Sequence, residues 1–318
     1  MSDPTEVDAL LVEQSSRTTS RAQLNNRHPD LEAVSPHVGE LDIDALAERL
    51  DEDLDMALPL LIDLARATDV ELRAQVRAVA ARLVVPAARH RSAGSRSGAA
   101  RLVTDRGPGV DLDADATMER LAESARVDPR TWHADDLRWR TWRRPARAYV
   151  LVIDASGSVT GKPLAGALIS AAALAARLQP DDELAVVAFW SRAVVLRHMG
   201  AADNPATVLS RLLDLRGGDT TDLALGLRVG LGQAALSRAR RRDVIVLTDG
   251  MANEGDDPRQ VAATAGGSGA RIHALAVSDH PDAVEATSRL ADLGGGRSAS
   301  LTAPSQAPAA LAQVLADV

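Results

Sequence analysis

The sequence predicts an α/β fold, a doubly wound, mainly parallel sheet with one antiparallel edge strand, preceded by a small helical N-terminal region. Three observations carry this. From Tyr149 onward, short apolar runs alternate with segments of helical periodicity, the pattern of repeated βα units. Two of those runs, 184–189 and 193–196, are separated only by Trp190-Ser191-Arg192. That gap is too short for a parallel crossover, so they form a hairpin. Between Asp42 and Val85, apolar residues recur at helical spacing instead.

Composition narrows the class. A chain of 318 residues makes one large or two modest domains. Its 46% hydrophobic content is ample for a core, but with one Phe and one Tyr the packing falls to Leu, Val and Ala. The absence of cysteine excludes disulfides, thiolate metal sites and cysteine nucleophiles, and fits a reducing compartment. A net charge of −8 argues against a general nucleic-acid binder. Met1-Ser-Asp-Pro-Thr-Glu lacks the basic and apolar regions of a signal peptide. No stretch of 18 uncharged apolar residues is present to span a membrane. The expected location is cytoplasmic.

Residues 1–40 are polar with weak periodicity and read as a mobile segment. Residues 41–86 read as a helical bundle: Ile43, Leu46 and Leu50 share one face, and Leu72, Val76, Val79 and Leu83 another, with Asp69 as an N-cap. A bundle this small is near the lower limit for a stable core, so it is expected to dock on something. Residues 87–110, rich in Arg, Gly and Ser, read as a solvated linker. No aromatic is interleaved there for base stacking. Residues 111–318 form the last domain, opening with an extension: a helix over 113–125, then a strand whose Trp139 and Trp142 cover an adjacent apolar surface.

Within the repeats, 149–153 is the first strand and Pro163 begins a helix that Gln179-Pro180 ends. Helices over 205–213 and from 222 to about 239 flank the Gly217-Gly218 loop. Strands at 244–247, 271–277 and 298–301 alternate with helices near 258–265, 282–293 and 308–318. His273, within a strand, reads as a satisfied structural residue. Gly157-Ser-Val-Thr-Gly161-Lys162-Pro163 imitates a phosphate loop but is one residue short, and Pro163 stands where a hydroxyl would hold Mg²⁺. No nucleophile signature accompanies any histidine.

The chemistry gathers at strand ends. Asp154 closes the first strand and is followed at two-residue steps by Ser156 and Ser158, all oxygen ligands suited to a hard dication, Mg²⁺ or Mn²⁺. The strand at 244–247 ends in Thr248-Asp249-Gly250, and the loop 216–221 brings further hydroxyls to a helix start. Ligands of an open α/β sheet collect beyond the carboxyl ends of its strands, so Asp154 and Asp249 meet there.

This set, D-x-S-x-S, a loop Thr, then T-D-G, resembles the metal-ion-dependent adhesion site (MIDAS) of von Willebrand factor A (VWA) domains, a Rossmann-like fold. The resemblance selects Thr221 over Thr220, because Thr221-Asp-Leu-Ala-Leu-Gly-Leu matches the family's T-x-L-x-x-G-L step. It implies metal ligands Asp154, Ser156, Ser158, Thr221 and Asp249, with a position left for a partner carboxylate. Residues from about 110 look similar to the VWA region of magnesium-chelatase D subunits and of proteins that accompany MoxR-type AAA+ ATPases. The carriers are Asp111 to Thr117 before a helix, the Arg-rich Leu137 to Arg144, and Asp154 to Ser158. What this implies is a non-catalytic adaptor that grips an acidic client protein while a MoxR-like ATPase supplies energy for remodelling or metal insertion. The alternatives are a magnesium-chelatase-like enzyme subunit and a Ro-type RNA-binding protein.

Overall fold

A computed structural model describes residues 18–91, 101–107, 109–127, 133–156, 162–202, 204–215, 218 and 220–316. The chain divides into two compact units. One joins the first 95 residues to residues 147–316, and the other is residues 96–146.

The N-terminal part is helical: α1 (Arg21–Arg27), α2 (Leu31–Val34), α3 (Ile43–Glu52), α4 (Leu54–Leu64) and α5 (Val70–Arg91). Asp42, Asp53 and Asp69 cap α3, α4 and α5 by accepting N–H groups of the first turn. The mobile segment expected over 1–40 does not hold for residues 20–34. Ser20 and Gln23 cap α1 reciprocally, and Leu24, Leu31 and Val34 are buried. Residues 1–17 lie outside the described residues. The expected boundary at 86 also shifts. Helix α5 passes through Pro86 to Arg91 because Ala87 and Ala88 are buried and Arg91 donates to the carbonyls of Leu50 and Asp51. Of the expected linker, 92–100 lies outside the described residues.

The smaller unit holds β1 (Arg101–Asp105), β2 (Asp111–Leu112), α6 (Ala114–Val127) and β3 (Trp139–Arg143). Its strands form an antiparallel sheet in the order β1-β3-β2. Buried Asp113 ties sheet to helix, accepting from the Thr104 hydroxyl and the Ala116 N–H. The extension expected as part of the last domain thus folds with residues of the expected linker. The reading of both indoles as covers for apolar surface fails at Trp142. Pairing sets it beside Leu102 on β1, and it is 59% exposed.

The larger unit continues with β4 (Arg147–Asp154), α7 (Lys162–Arg177), β5 (Glu183–Phe189), β6 (Ala193–Arg197), α8 (Pro205–Asp214) and α9 (Leu223–Leu236). Then come β7 (Arg241–Thr248), α10 (Pro258–Ala263), β8 (Ala270–Ala276), α11 (Pro281–Leu293), β9 (Gly295–Ser300) and α12 (Ala307–Leu315). The sheet order is β6-β5-β4-β7-β8-β9, with β5/β6 the antiparallel edge pair and all other pairs parallel. The chain leaves β4 towards β5 and returns on its other side at β7. The crevice between β4 and β7 is therefore the topological switch point.

Alternate residues of each strand feed two cores. Val150, Val152, Phe189, Val244 and Ile272 pack under α9, α10 and α11, whereas Leu151, Ile153, Ile245 and Leu247 share a cluster with α7, α8 and α12. Gly226 lets α9 lie on β5, since a Cβ there would fall 2.5 Å from the Phe189 ring. Helix α7 carries no charge from Pro163 to Ala176 and is buried almost all round, the mark of a helix covered on both sides. Its outer cover is α4 and α5, and α5 also reaches α8. Arg77 pairs with Asp214 at 2.6 Å, Arg66 Nη2 donates to the Leu215 carbonyl at 2.7 Å, and Ser305 donates to Asp55 at 2.7 Å. The bundle docks, as its size requires, but as a third layer of one core and not as a separable module. No helix among the described residues is long and apolar enough to cross a membrane.

Candidate metal centre

Strand β4 ends at Asp154, where the apolar run that buries it stops. Asp154 Oδ1 accepts the Ser156 hydroxyl at 2.6 Å and the Ser156 N–H at 3.0 Å. Its other oxygen, Oδ2, accepts the Thr248 hydroxyl at 2.9 Å. Thr248 in turn accepts the Gly250 N–H at 3.0 Å, which fixes the start of the turn carrying Asp249. Asp249 turns back on its own loop, accepting the Met251 N–H at 2.9 Å.

Backbone bonds lace three segments together here. Ser156 bridges to Gly218, whose N–H donates to the Ala155 carbonyl at 3.2 Å. Gly218 is required by a close approach, because a Cβ would meet the Trp190 indole at 2.3 Å. Thr221, buried just ahead of the α9 N-cap Asp222, donates its N–H to Asn253 Oδ1 at 2.7 Å and accepts from the N–H groups of Asn253 and Glu254. The loop after β7 is thereby fastened to the loop before α9.

Electrostatics single out Asp154. Burial pushes its carboxyl up and the charge of nearby Asp249 pushes it further, although hydrogen bonds from Ser156 and Thr248 draw it down; the net shift is upward. No Arg, Lys or His among the described residues pairs with it. Two carboxylates and neutral hydroxyls, with no basic partner, make an environment that a dication relieves.

Of the five predicted ligands, Asp154, Ser156, Thr221 and Asp249 lie on the three laced segments, while Ser158 lies outside the described residues, as do residues 157–161 of the phosphate-loop imitation, whose Lys162 and Pro163 open α7. Among the described residues no three His, Cys, Asp or Glu cluster to hold a metal. A cation held here would draw instead on hydroxyls and water, as a small hard ion that keeps part of its hydration allows. Sequence reasoning placed Thr248 in the T-D-G triplet after the strand 244–247 but gave it no role, and it passed over Asn253. The T-D-G triplet itself was the available signal for Thr248. For Asn253 a lone Asn in a loop offered none.

The larger unit has the VWA fold, and residues 150–305 match the von Willebrand factor type A domain. An uncharacterized protein of Synechocystis (sll0103) is 32% identical over 133 residues, covering 41% of this chain and 32% of that protein. The match thus spans about a third of that relative's length. Among solved structures, an aerotolerance-related membrane protein from Bacteroides fragilis is 16% identical, covering 54% of this chain and 98% of its own, with TM-score 0.42. The von Willebrand domain of the type V pili tip protein Mfa5 from Porphyromonas gingivalis is 14% identical, covering 53% and 94%, with TM-score 0.44.

Proposed function

We propose that this protein is a non-catalytic adaptor whose centre at Asp154, Ser156, Ser158, Thr221 and Asp249 holds Mg²⁺ or Mn²⁺ and grips a carboxylate of an acidic client, working beside a MoxR-type AAA+ ATPase. The observation that carries this is the half-buried Asp154, which accepts from two hydroxyls and has no basic partner among the described residues. The bound ion supplies an electrophilic position that a partner carboxylate can complete. The chain's own residues do the rest. Ser156 and Thr248 orient the Asp154 oxygens, Asn253 sets Thr221, and the neutral ligands leave the ion enough positive charge to attract an anion.

The test is native co-purification from the host lysate with wild type and Thr221→Ala, each with and without EDTA. The proposal expects an AAA+ ATPase and a client held by wild type and released by chelation or by the substitution. Capture that ignores both treatments would move binding to another surface. RNA or chelatase subunits in its place would favour the alternatives.

A further inference from the structure

At the opposite end of the sheet, about 23 Å from Asp154 along seven strand steps, a concavity of 460 Å³ opens at the amino ends of β7 and β8. Arg240, Arg241, Arg242 and Arg271 line it, and Asp292 is the one carboxylate lining it among the described residues. We infer that this concavity is a binding site for a small anion carrying a diphosphate or longer phosphate chain.

Two of the four guanidinium groups are already fixed. Arg242 donates to the carbonyls of Ala239 and Ser268 at 3.1 and 3.0 Å, and Arg241 donates to buried Asp243 at 2.8 Å and to the Leu315 carbonyl at 3.2 Å. Arg240 and Arg271 are exposed, and their guanidinium groups make no hydrogen bond or ion pair among the described residues. Asp292 and Asp243 offset half of the charge of the four, which leaves a surplus of two in a chain whose net charge is −8. The far wall is glycine: a Cβ at Gly266, Gly269 or Gly295 would meet nothing within 4 Å, so no side chain there stands between solvent and the guanidinium groups.

Chemistry selects the ligand. Guanidinium forks match phosphate oxygens bidentately. The volume exceeds what one phosphate needs and lies in the range of small-molecule sites. Concave shape disfavours a duplex or a membrane surface, and no aromatic lines the site to stack a base. Recognition therefore rests on the phosphate chain.

The test is calorimetric titration of the full chain with inorganic pyrophosphate in EDTA, which removes any contribution from the metal centre. Wild type is expected to bind below about 1 mM, with affinity falling as salt rises. The double variant Arg240→Ala/Arg271→Ala, at two exposed positions, should keep its melting temperature and lose about tenfold or more in affinity. Asp154→Ala should bind pyrophosphate like wild type, and orthophosphate should bind wild type more weakly than pyrophosphate. No pyrophosphate binding, binding untouched by the double substitution, or equal affinity for orthophosphate would each overturn the assignment.

Discussion

Thr248 and Asp154, 94 residues apart in sequence, are joined by a 2.9 Å hydrogen bond across the seam between the two central strands. Thr248 is fully buried, and its hydroxyl both donates to the carboxylate and accepts the Gly250 N–H. Thr248→Val keeps the shape and removes both bonds. It is expected to leave the fold intact and to weaken metal binding by about 10–100-fold, as loss of a ligand-orienting partner does. Unchanged affinity by calorimetry would show that Asp154 needs no such support.

Asp154→Asn separates stability from function. In the metal-free protein the folded carboxyl holds its proton to higher pH than the unfolded one. The stability linked to that proton is full below the unfolded pKa and lost as pH rises through the folded pKa. Asn captures at pH 7 what protonation gives in acid, so urea denaturation in EDTA should find the variant more stable by about 1 kcal/mol. Metal should no longer raise its melting temperature. A variant destabilised in EDTA would mark Asp154 as a structural residue.

Much of the centre was legible because its chemistry sits in short contiguous motifs at strand ends, where Asp154, Ser156 and Asp249 announce themselves. Thr221 needed the wider T-x-L-x-x-G-L pattern. Thr248 stood in the T-D-G triplet, but nothing local in the sequence says that its hydroxyl turns to Asp154, 94 residues away. The sheet and its hairpin were legible from run lengths alone. The third layer left one trace, the charge-free stretch from Pro163 to Ala176, which asks for cover on two sides. The small sheet left almost none: β2 has two residues, β1 is charged at both its ends, and β3 carries charges on both faces. Arg240 to Arg242 were lost in a chain whose basic residues are all Arg but Lys162.

The N-terminal helices are expected to be indispensable. A chain starting at residue 101 exposes the outer side of α7 and loses the Arg66 to Leu215 bond. Such a protein should bind ANS or precipitate. A soluble fragment with the full chain's cooperative melting would show that the layers are independent. Arg66→Ala in the full chain should cost about 2 kcal/mol in urea.

Asp243, wholly buried, bridges Arg241 at 2.8 Å and His273 at 3.3 Å, while the Arg297 N–H donates to the other His273 nitrogen. Burial raises its carboxyl, but the hydrogen bond from His273 and the charge of Arg241 outweigh that and hold it below the usual range. Its contribution is present above the unfolded pKa of about 3.9 and lost as pH falls through the lower folded value. Asp243→Asn should therefore be less stable than wild type by about 3 kcal/mol at pH 7, with the gap closing below pH of about 4. A gap that stays constant down to acid would rule out the ionic role.

The central claim is tested most directly by Mn²⁺ titration of the purified full chain, wild type beside Asp154→Ala, followed by calorimetry. The account predicts about one ion per wild-type chain, displaced by excess Mg²⁺ and raising the melting temperature by mass action, with binding lost in the variant. Equal binding by the two proteins, or none by wild type, would contradict it.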